Sequence, residues 1–231
     1  MEEARAAGVE RIVTIGVGRA SSEGAVALAE AHDGVYAAVG VHPHDADGFT
    51  DDDIAWIRAL GAHPKVVAVG ECGLDYFRER ARPEAQRRAF SAQIGVARDA
   101  GLPLVIHTRE AADDTLAILA SEAEGHPVVL HCFSLPDRLD EVVERGYMLS
   151  FAGQVTFPRA LELQRAARDA PDHLLLVETD SPYLTPVPRR GRPNRPATVA
   201  HTLRFVAQMR GASEADLDAL TTANAARTFA W

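Results

Sequence analysis

Short apolar, β-branched runs recur along the chain, separated by longer stretches whose apolar positions repeat at helical spacing. Seven runs read as strands: 11–17 (RIVTIGV), 35–42 (VYAAVGVH), 66–71 (VVAVGE), 103–108 (PLVIHT), 127–133 (PVVLHCF), 147–153 (YMLSFAG) and 174–180 (LLLVETD). Helical patterning occupies 51–60, 83–101, 111–125, 139–146 and 160–170 between them, and 197–211 and 213–231 close the chain. Gly101, Gly125 and Gly146 fall just past helical stretches, where a left-handed residue commonly ends a helix. Strands alternating with helices imply parallel pairing and right-handed crossovers. No low-complexity linker divides the series, so residues 1–231 are expected to form a single domain.

The strand count carries information. A closed parallel barrel of the TIM type needs eight strands, and seven would leave two open edges, which invite foreign pairing. The opening EEARAAG at 2–8 reads as the last turns of a helix before the first strand. The expected fold is α/β, a TIM-type (βα)8 barrel lacking its first strand and most of its first helix. The missing N-terminal segment would be about 20–30 residues, the size of one strand-plus-helix unit. An open seven-stranded sheet is the alternative.

Composition changes this picture little. Hydrophobic residues at 47% and charged residues at 25% are ordinary for a soluble globular protein. No run of about 18 apolar residues occurs, and MEEARAAGVE lacks the basic-then-apolar order of a signal peptide. A cytoplasmic protein with no membrane partner is expected, and no obligate protein partner is evident. Cys72 and Cys132 are the only cysteines, too few for a disulfide framework. The net charge of −9 argues against passive adhesion to nucleic acid. It leaves open an enzyme that grips phosphates locally.

In parallel α/β barrels the chemistry sits where strands end, which sorts the nine histidines. His32, His63, His126 and His173 precede strands, and His201 falls on a late helix; these five read as loop or surface residues. His42, His44, His107 and His131 close strands, as do Glu71 and Asp180. Any one alone would be an ordinary loop residue, but several converging from separate strands suit Zn²⁺, Mn²⁺ and similar ions. Side chains alternate along a strand, so with Glu71 and His131 facing the mouth, Cys72 and Cys132 should point away and pack against helices. Glu178 and Asp180 are two apart and share a face. Glu178 is therefore expected one layer deeper, supporting a ligand or substrate.

The stretches GVHPH (40–44), GECGLDY (70–76), GLPLVIHTRE (101–110), HCFS (131–134), ETDSPYL (178–184) and RGRPNRP (190–196) stand in this order along the chain, and TANAARTF (222–229) follows. In them the chain closely resembles the TatD-type metal-dependent deoxyribonucleases of the amidohydrolase superfamily. The resemblance implies a TIM-type barrel with two divalent metal ions (Mg²⁺, Mn²⁺ or Zn²⁺) that cleaves phosphodiester bonds, DNA ends being the substrate. By position it implies that Glu71 bridges the two ions, His107 and His131 bind one, and Asp180 binds the other. The family completes that other ion with a His-x-His pair on its first strand. Here the first histidine is His32, and HPH at 42–44 matches a separate motif. The missing pair agrees with the missing strand, so a weakly held second ion and weak or absent nuclease activity are expected. Leu135 stands where the family usually has glycine.

Glu71 and Asp180 are the expected catalytic residues. A bridging carboxylate offsets two cations, and Asp180 could also take a proton from the attacking water; alternatively Asp180 only caps the turn that follows. The loop 186–196 supplies Arg190 and Arg192, expected to grip DNA phosphates, or else simply a solvated, proline-stiffened loop. His42 and Arg109 are expected substrate contacts, with plain loop structure as the alternative. Two other functions stay open. One is hydrolysis of a different ester or amide, such as an aminoacyl-tRNA ester; the other is a catalytically impaired metal-binding domain.

Overall fold

The computed structural model describes residues 1–78 and 80–231. The seven apolar runs form β1 (Ile12–Ile15), β2 (Val35–Val39), β3 (Val66–Asp75), β4 (Leu104–Arg109), β5 (Val128–Leu130), β6 (Met148–Phe151) and β7 (Leu175–Val177). They follow one another in chain order in a seven-stranded sheet. The registers of β1–β2, β2–β3, β3–β4 and β6–β7 are all parallel. The helices are α1 (Glu2–Ala6), α2 (Arg19–Ala31), α3 (Asp51–Gly61), α4 (Pro83–Ala100), α5 (Ala112–Glu122), α6 (Leu139–Glu144), α7 (Leu161–Asp169), α8 (Val199–Arg210) and α9 (Glu214–Phe229). Only α2 lies where the pattern marks no helix; its alanines, serines and Gly24 give a weak apolar stripe, buried through Ala25, Val26 and Ala29. Among the described residues no helix is long and apolar enough to cross a membrane.

The strand boundaries differ from the pattern at the positions that matter chemically. β3 runs past Glu71 to Asp75, and β4 passes through His107. β2, β5 and β7 stop short, leaving His42, His131 and Asp180 on the segments that follow.

The chain forms two compact units, Arg11–Val129 and Met1–Glu10 with Leu130–Trp231. In the first, β2 and β3 are buried almost throughout, as strands covered on both faces must be. Ile57, Phe90, Ile94, Leu104, Ile106 and Leu119 fill its core. α3 starts at a capping box, with the Thr50 amide donating to Asp53 Oδ2 at 2.8 Å. α4 starts with Pro83 and ends at Gly101, whose φ of 66° is the left-handed turn expected there. Two buried glutamines on α4, seven residues apart, clamp two strand exits. Gln93 accepts from the Val41 amide (2.7 Å) and donates to the Val41 carbonyl (3.0 Å). Gln86 does the same for Asp75, at 2.7 and 3.0 Å. Each glutamine satisfies both backbone groups of one residue where strand pairing has run out.

In the second unit β6 and β7 pair beneath Phe133 and Phe151, whose rings meet edge to face at 5.4 Å. The C-terminal motif around Asn224 has a structural purpose. Buried Asn224 donates to the carbonyls of Asp172 (2.7 Å) and Leu175 (2.8 Å), fastening α9 to the start of β7. Replacing Asn224 with Ala removes both bonds, the Asp172 carbonyl keeping only the Leu175 amide, and we expect a loss of about 1–3 kcal/mol in unfolding free energy. Urea denaturation monitored by circular dichroism measures it; an unchanged midpoint would show the bonds to be dispensable.

Candidate metal centre

In the unit Arg11–Val129 the segment leaving β2 carries His42, which caps a 3-10 turn over Pro43–Gly48. His42 Nδ1 accepts from the His44 amide at 3.1 Å, so in the neutral ring the proton sits on Nε2. That nitrogen lies 3.6 Å from Glu71 Oε1. Burial lowers the His42 pKa to about 4; the Glu71 charge opposes this, and His107 and His44 push it further down. Near neutral pH His42 is thus an uncharged ring that presents an N–H.

Glu71 and Asp75 lie on β3 four residues apart, on one face, with Gly73 between them. Gly73 pairs with His107 on β4, and its φ of 131° together with a Cβ position only 2.0 Å from the His107 carbonyl oxygen excludes a side chain there. His107 lies between the two carboxylates: Nδ1 is 2.9 Å from Glu71 Oε1 and Nε2 is 3.1 Å from Asp75 Oδ2. Asp75, 1% exposed, also meets His44 Nε2 at 2.9 Å, and its Oδ1 accepts from the amides of Phe77 and Arg78. Burial alone would raise the Asp75 pKa, but the Arg78 amide and the bonds from His44 and His107 outweigh it and hold the carboxyl below its ordinary value. A charged Asp75 accepts a hydrogen bond from Nε2–H of His107, which keeps the proton there and leaves the Nδ1 lone pair facing Glu71.

The other unit repeats this arrangement. His131 Nδ1 lies 2.9 Å from Glu178 Oε1, and Nε2 lies 3.7 Å from Asp180 Oδ1. Glu178 also accepts from the Cys132 amide (2.9 Å) and from Ser150 Oγ. It occupies the deeper, supporting position expected of it. Cys132 and Asp180 adopt φ of 47° and 56°, left-handed values that end each segment sharply and break strand alternation.

These donor sets fit a divalent cation. His42, Glu71 and His107 offer ligand atoms all within 4.8 Å of one another, as do His131, Cys132 and Glu178. Each pivotal imidazole faces two carboxylates, a surplus of negative charge that a cation offsets. In the second group Glu178 is already engaged by three donors, and His131 Nε2 instead faces Asp180, which stands beside the group. The cysteines divide. Cys72 is fully buried with its thiol pKa pushed up by burial, a packing residue as expected. Cys132 departs from expectation: its left-handed backbone turns the thiol into the His131–Glu178 group, where it accepts from Gln154 Nε2 at 2.9 Å.

The arginines take separate places. Arg109, closing β4, lays its guanidinium 3.9 Å from the Phe77 ring centroid. Arg190 covers Phe157 at 4.2 Å. Arg192 instead lines a cavity of about 650 Å³ with Arg189, Arg195, His201 and Arg204. Asn194, between these arginines, donates to the Thr179 and Tyr183 carbonyls (2.7 and 2.6 Å) and so fixes the loop bearing Asp180. Asp75, Gln86 and Gln93 support the His42–Glu71–His107 group and Ser150 supports Glu178 in the other unit, and the motifs do not single them out for any role.

Comparison with known proteins identifies the family. A family model described as TatD related DNase matches residues 1–230. A Bacillus subtilis protein named uncharacterized metal-dependent hydrolase YabD is 39% identical over 99% of this chain and 91% of its own length. A Cronobacter sakazakii protein named 3'-5' ssDNA/RNA exonuclease TatD is 42% identical over 98% of this chain and 89% of its own. The crystal structure of YjjV, a TatD homologue from Escherichia coli, superimposes with a TM-score of 0.94 at 28% identity, covering 100% of this chain and 90% of that one.

Asp75→Asn keeps an oxygen for the backbone amides but removes the charge that orients His107. We expect divalent-metal affinity to fall about 10–100-fold. Isothermal titration with Zn²⁺ or Mn²⁺ tests this, and wild-type affinity in the variant would remove Asp75 from the site.

Proposed function

We propose that this chain, a metal-dependent hydrolase that belongs to the TatD related DNase family, shortens single-stranded DNA from an end. Glu71 and His107 in one unit, and His131 and Asp180 in the other, are the residues we assign to holding divalent ions. The observation that carries the reading is the twofold imidazole–carboxylate arrangement, His107 Nδ1 at 2.9 Å from Glu71 and His131 Nε2 at 3.7 Å from Asp180. The names of the relatives, metal-dependent hydrolase and single-strand exonuclease, support the same chemistry. Bound there, a divalent ion supplies a polarised phosphoryl oxygen and a more acidic water.

The chain's own side chains have distinct tasks. Asp180 accepts the proton of the attacking water at its carboxylate as the water oxygen bonds to phosphorus and the bond to the leaving sugar oxygen breaks, that oxygen taking up a proton from solvent to leave as the hydroxyl. His42, uncharged and presenting Nε2–H, donates to a phosphoryl oxygen. Asp75 and Glu178 keep His107 and His131 in the tautomers that face the reacting side. Arg190 and Arg192 attract the backbone of the strand beyond the scissile phosphate.

End-labelled single-stranded DNA, RNA and small phosphate and carboxylate esters, incubated with the metal-reconstituted chain, test the reading. Because the second ion is expected to be weakly held, we expect slow shortening of DNA that EDTA stops and that His107→Ala or His131→Ala lowers by at least about 100-fold, the scale of losing a charge-stabilising group. Turnover of small esters with intact polynucleotides would overturn it. In the double variant Arg190→Ala, Arg192→Ala we expect a raised KM for DNA and a flatter salt dependence, by the counterion argument. Identical kinetics at several salt concentrations would eliminate the arginine contacts.

A further inference from the structure

Just beyond the His42–Glu71–His107 group stands an aromatic ring that packing does not explain. Phe77 is 53% exposed, directly after β3. The Arg109 guanidinium lies 3.9 Å from its ring centroid and that of Arg78 lies 5.6 Å away. Among the described residues neither arginine has a carboxylate partner.

The ring is held outward by the backbone beneath it. The amides of Phe77 and Arg78 donate to Asp75 Oδ1 at 3.0 and 2.9 Å, and the Tyr76 amide donates to the Arg109 carbonyl at 2.9 Å. Tyr76 Oη bonds Asp114 at 2.6 Å and accepts from Arg87 at 3.0 Å, which anchors the preceding side chain. The same Asp75 carboxylate reaches His107 Nε2 at 3.1 Å, so a single side chain ties the exposed ring to the candidate metal ligand.

We propose that Phe77 and Arg109 form a nucleobase-stacking subsite that takes one unpaired base of the polynucleotide. The proposal rests on the polynucleotide reading above. A base has a flat π face that continues a Phe–guanidinium stack, and its attached phosphate is drawn to the two guanidinium charges. Phenylalanine offers no hydrogen-bonding atom at its edge, so the subsite accepts all four bases without reading their edges. It requires an unpaired base, because a base within a duplex is already stacked on both sides. The subsite therefore selects single strands over duplex, and ends or gaps over continuous helix.

The test is binding of the full chain, in EDTA to prevent cleavage, to two labelled decamers of equal length and charge, followed by fluorescence anisotropy. One is oligothymidylate and the other a base-free deoxyribose phosphodiester. Wild-type protein is expected to favour the thymidylate by about 5-fold or more, the lower end of what one stacked base contributes. Phe77→Ala should reduce that preference while leaving affinity for the base-free strand unchanged, and Phe77→Trp should preserve it. Retention of the full preference by Phe77→Ala, or equal binding of both decamers by a wild-type chain that digests DNA, overturns the subsite and leaves the nuclease reading standing. A wild-type chain that binds neither decamer and, with metal restored, cuts no polynucleotide overturns both.

Discussion

An imidazole placed to ligate a metal must offer the lone pair of one nitrogen and keep its proton on the other, and in this chain a neighbouring carboxylate decides which is which. It does so twice. Asp75 engages Nε2 of His107, leaving Nδ1 toward Glu71, and Glu178 engages Nδ1 of His131, leaving Nε2 toward Asp180. The two choices are opposite at the level of atoms and equivalent in effect. Both supporting carboxylates are held by backbone amides, from Phe77 and Arg78 in one case and Cys132 in the other; for Asp75 these bonds and those of the two imidazoles hold the carboxyl below its ordinary pKa although burial would raise it.

Much of the surrounding structure follows from the need to hold those carboxylates. β3 has to extend through Asp75 so that Glu71 and Asp75 share a face, and the residue between them must be glycine because the His107 carbonyl occupies the space of a side chain. Beyond the last ladder bond the exposed backbone groups of Val41 and Asp75 would lose their partners inside the protein, and the two α4 glutamines supply them. Removing either glutamine would unpair buried polar groups and loosen a segment that carries chemistry. A helix that reads from its pattern as an ordinary amphipathic cover is thus also the positioning element of the site.

This explains what was legible in the sequence. All seven strands form at the apolar runs, if not to the same ends, and those buried on both faces, such as β2 and β3, need little beyond β-branched bulk. The motif residues Glu71 and His107, and likewise His131 and Asp180, do come together in pairs. Asp75 escapes notice because the apolar run ends at Glu71: the following Cys-Gly-Leu-Asp reads as a loop, and two-residue periodicity cannot be applied to a loop. Cys132 is misread for the opposite reason. Alternation carried two residues beyond β5 points the thiol away, whereas a φ of 47° ends it at Cys132 itself. Arg190 and Arg192 look equivalent on one loop, yet Gly191, with φ 88°, separates their directions, one toward Phe157 and one into the arginine-lined cavity.

The net charge of −9 remains to be squared with a polyanionic substrate, and the distances do so. At physiological salt exposed charges are screened within about 8 Å, so a phosphate responds to its immediate surroundings and scarcely to the total. Those surroundings are selective here. Many exposed arginines are neutralised by a carboxylate within 4 Å, as Arg82 is by Asp47 and Arg168 by Asp169. Arg109 and Arg190 instead lie against phenylalanine rings, which keep the guanidinium charge available while restricting its motion. Cations held on rings rather than on carboxylates stay free to meet a phosphate. On the proposed reading, each such cation would let an acidic protein meet an acidic polymer locally while its net charge repels the polymer elsewhere.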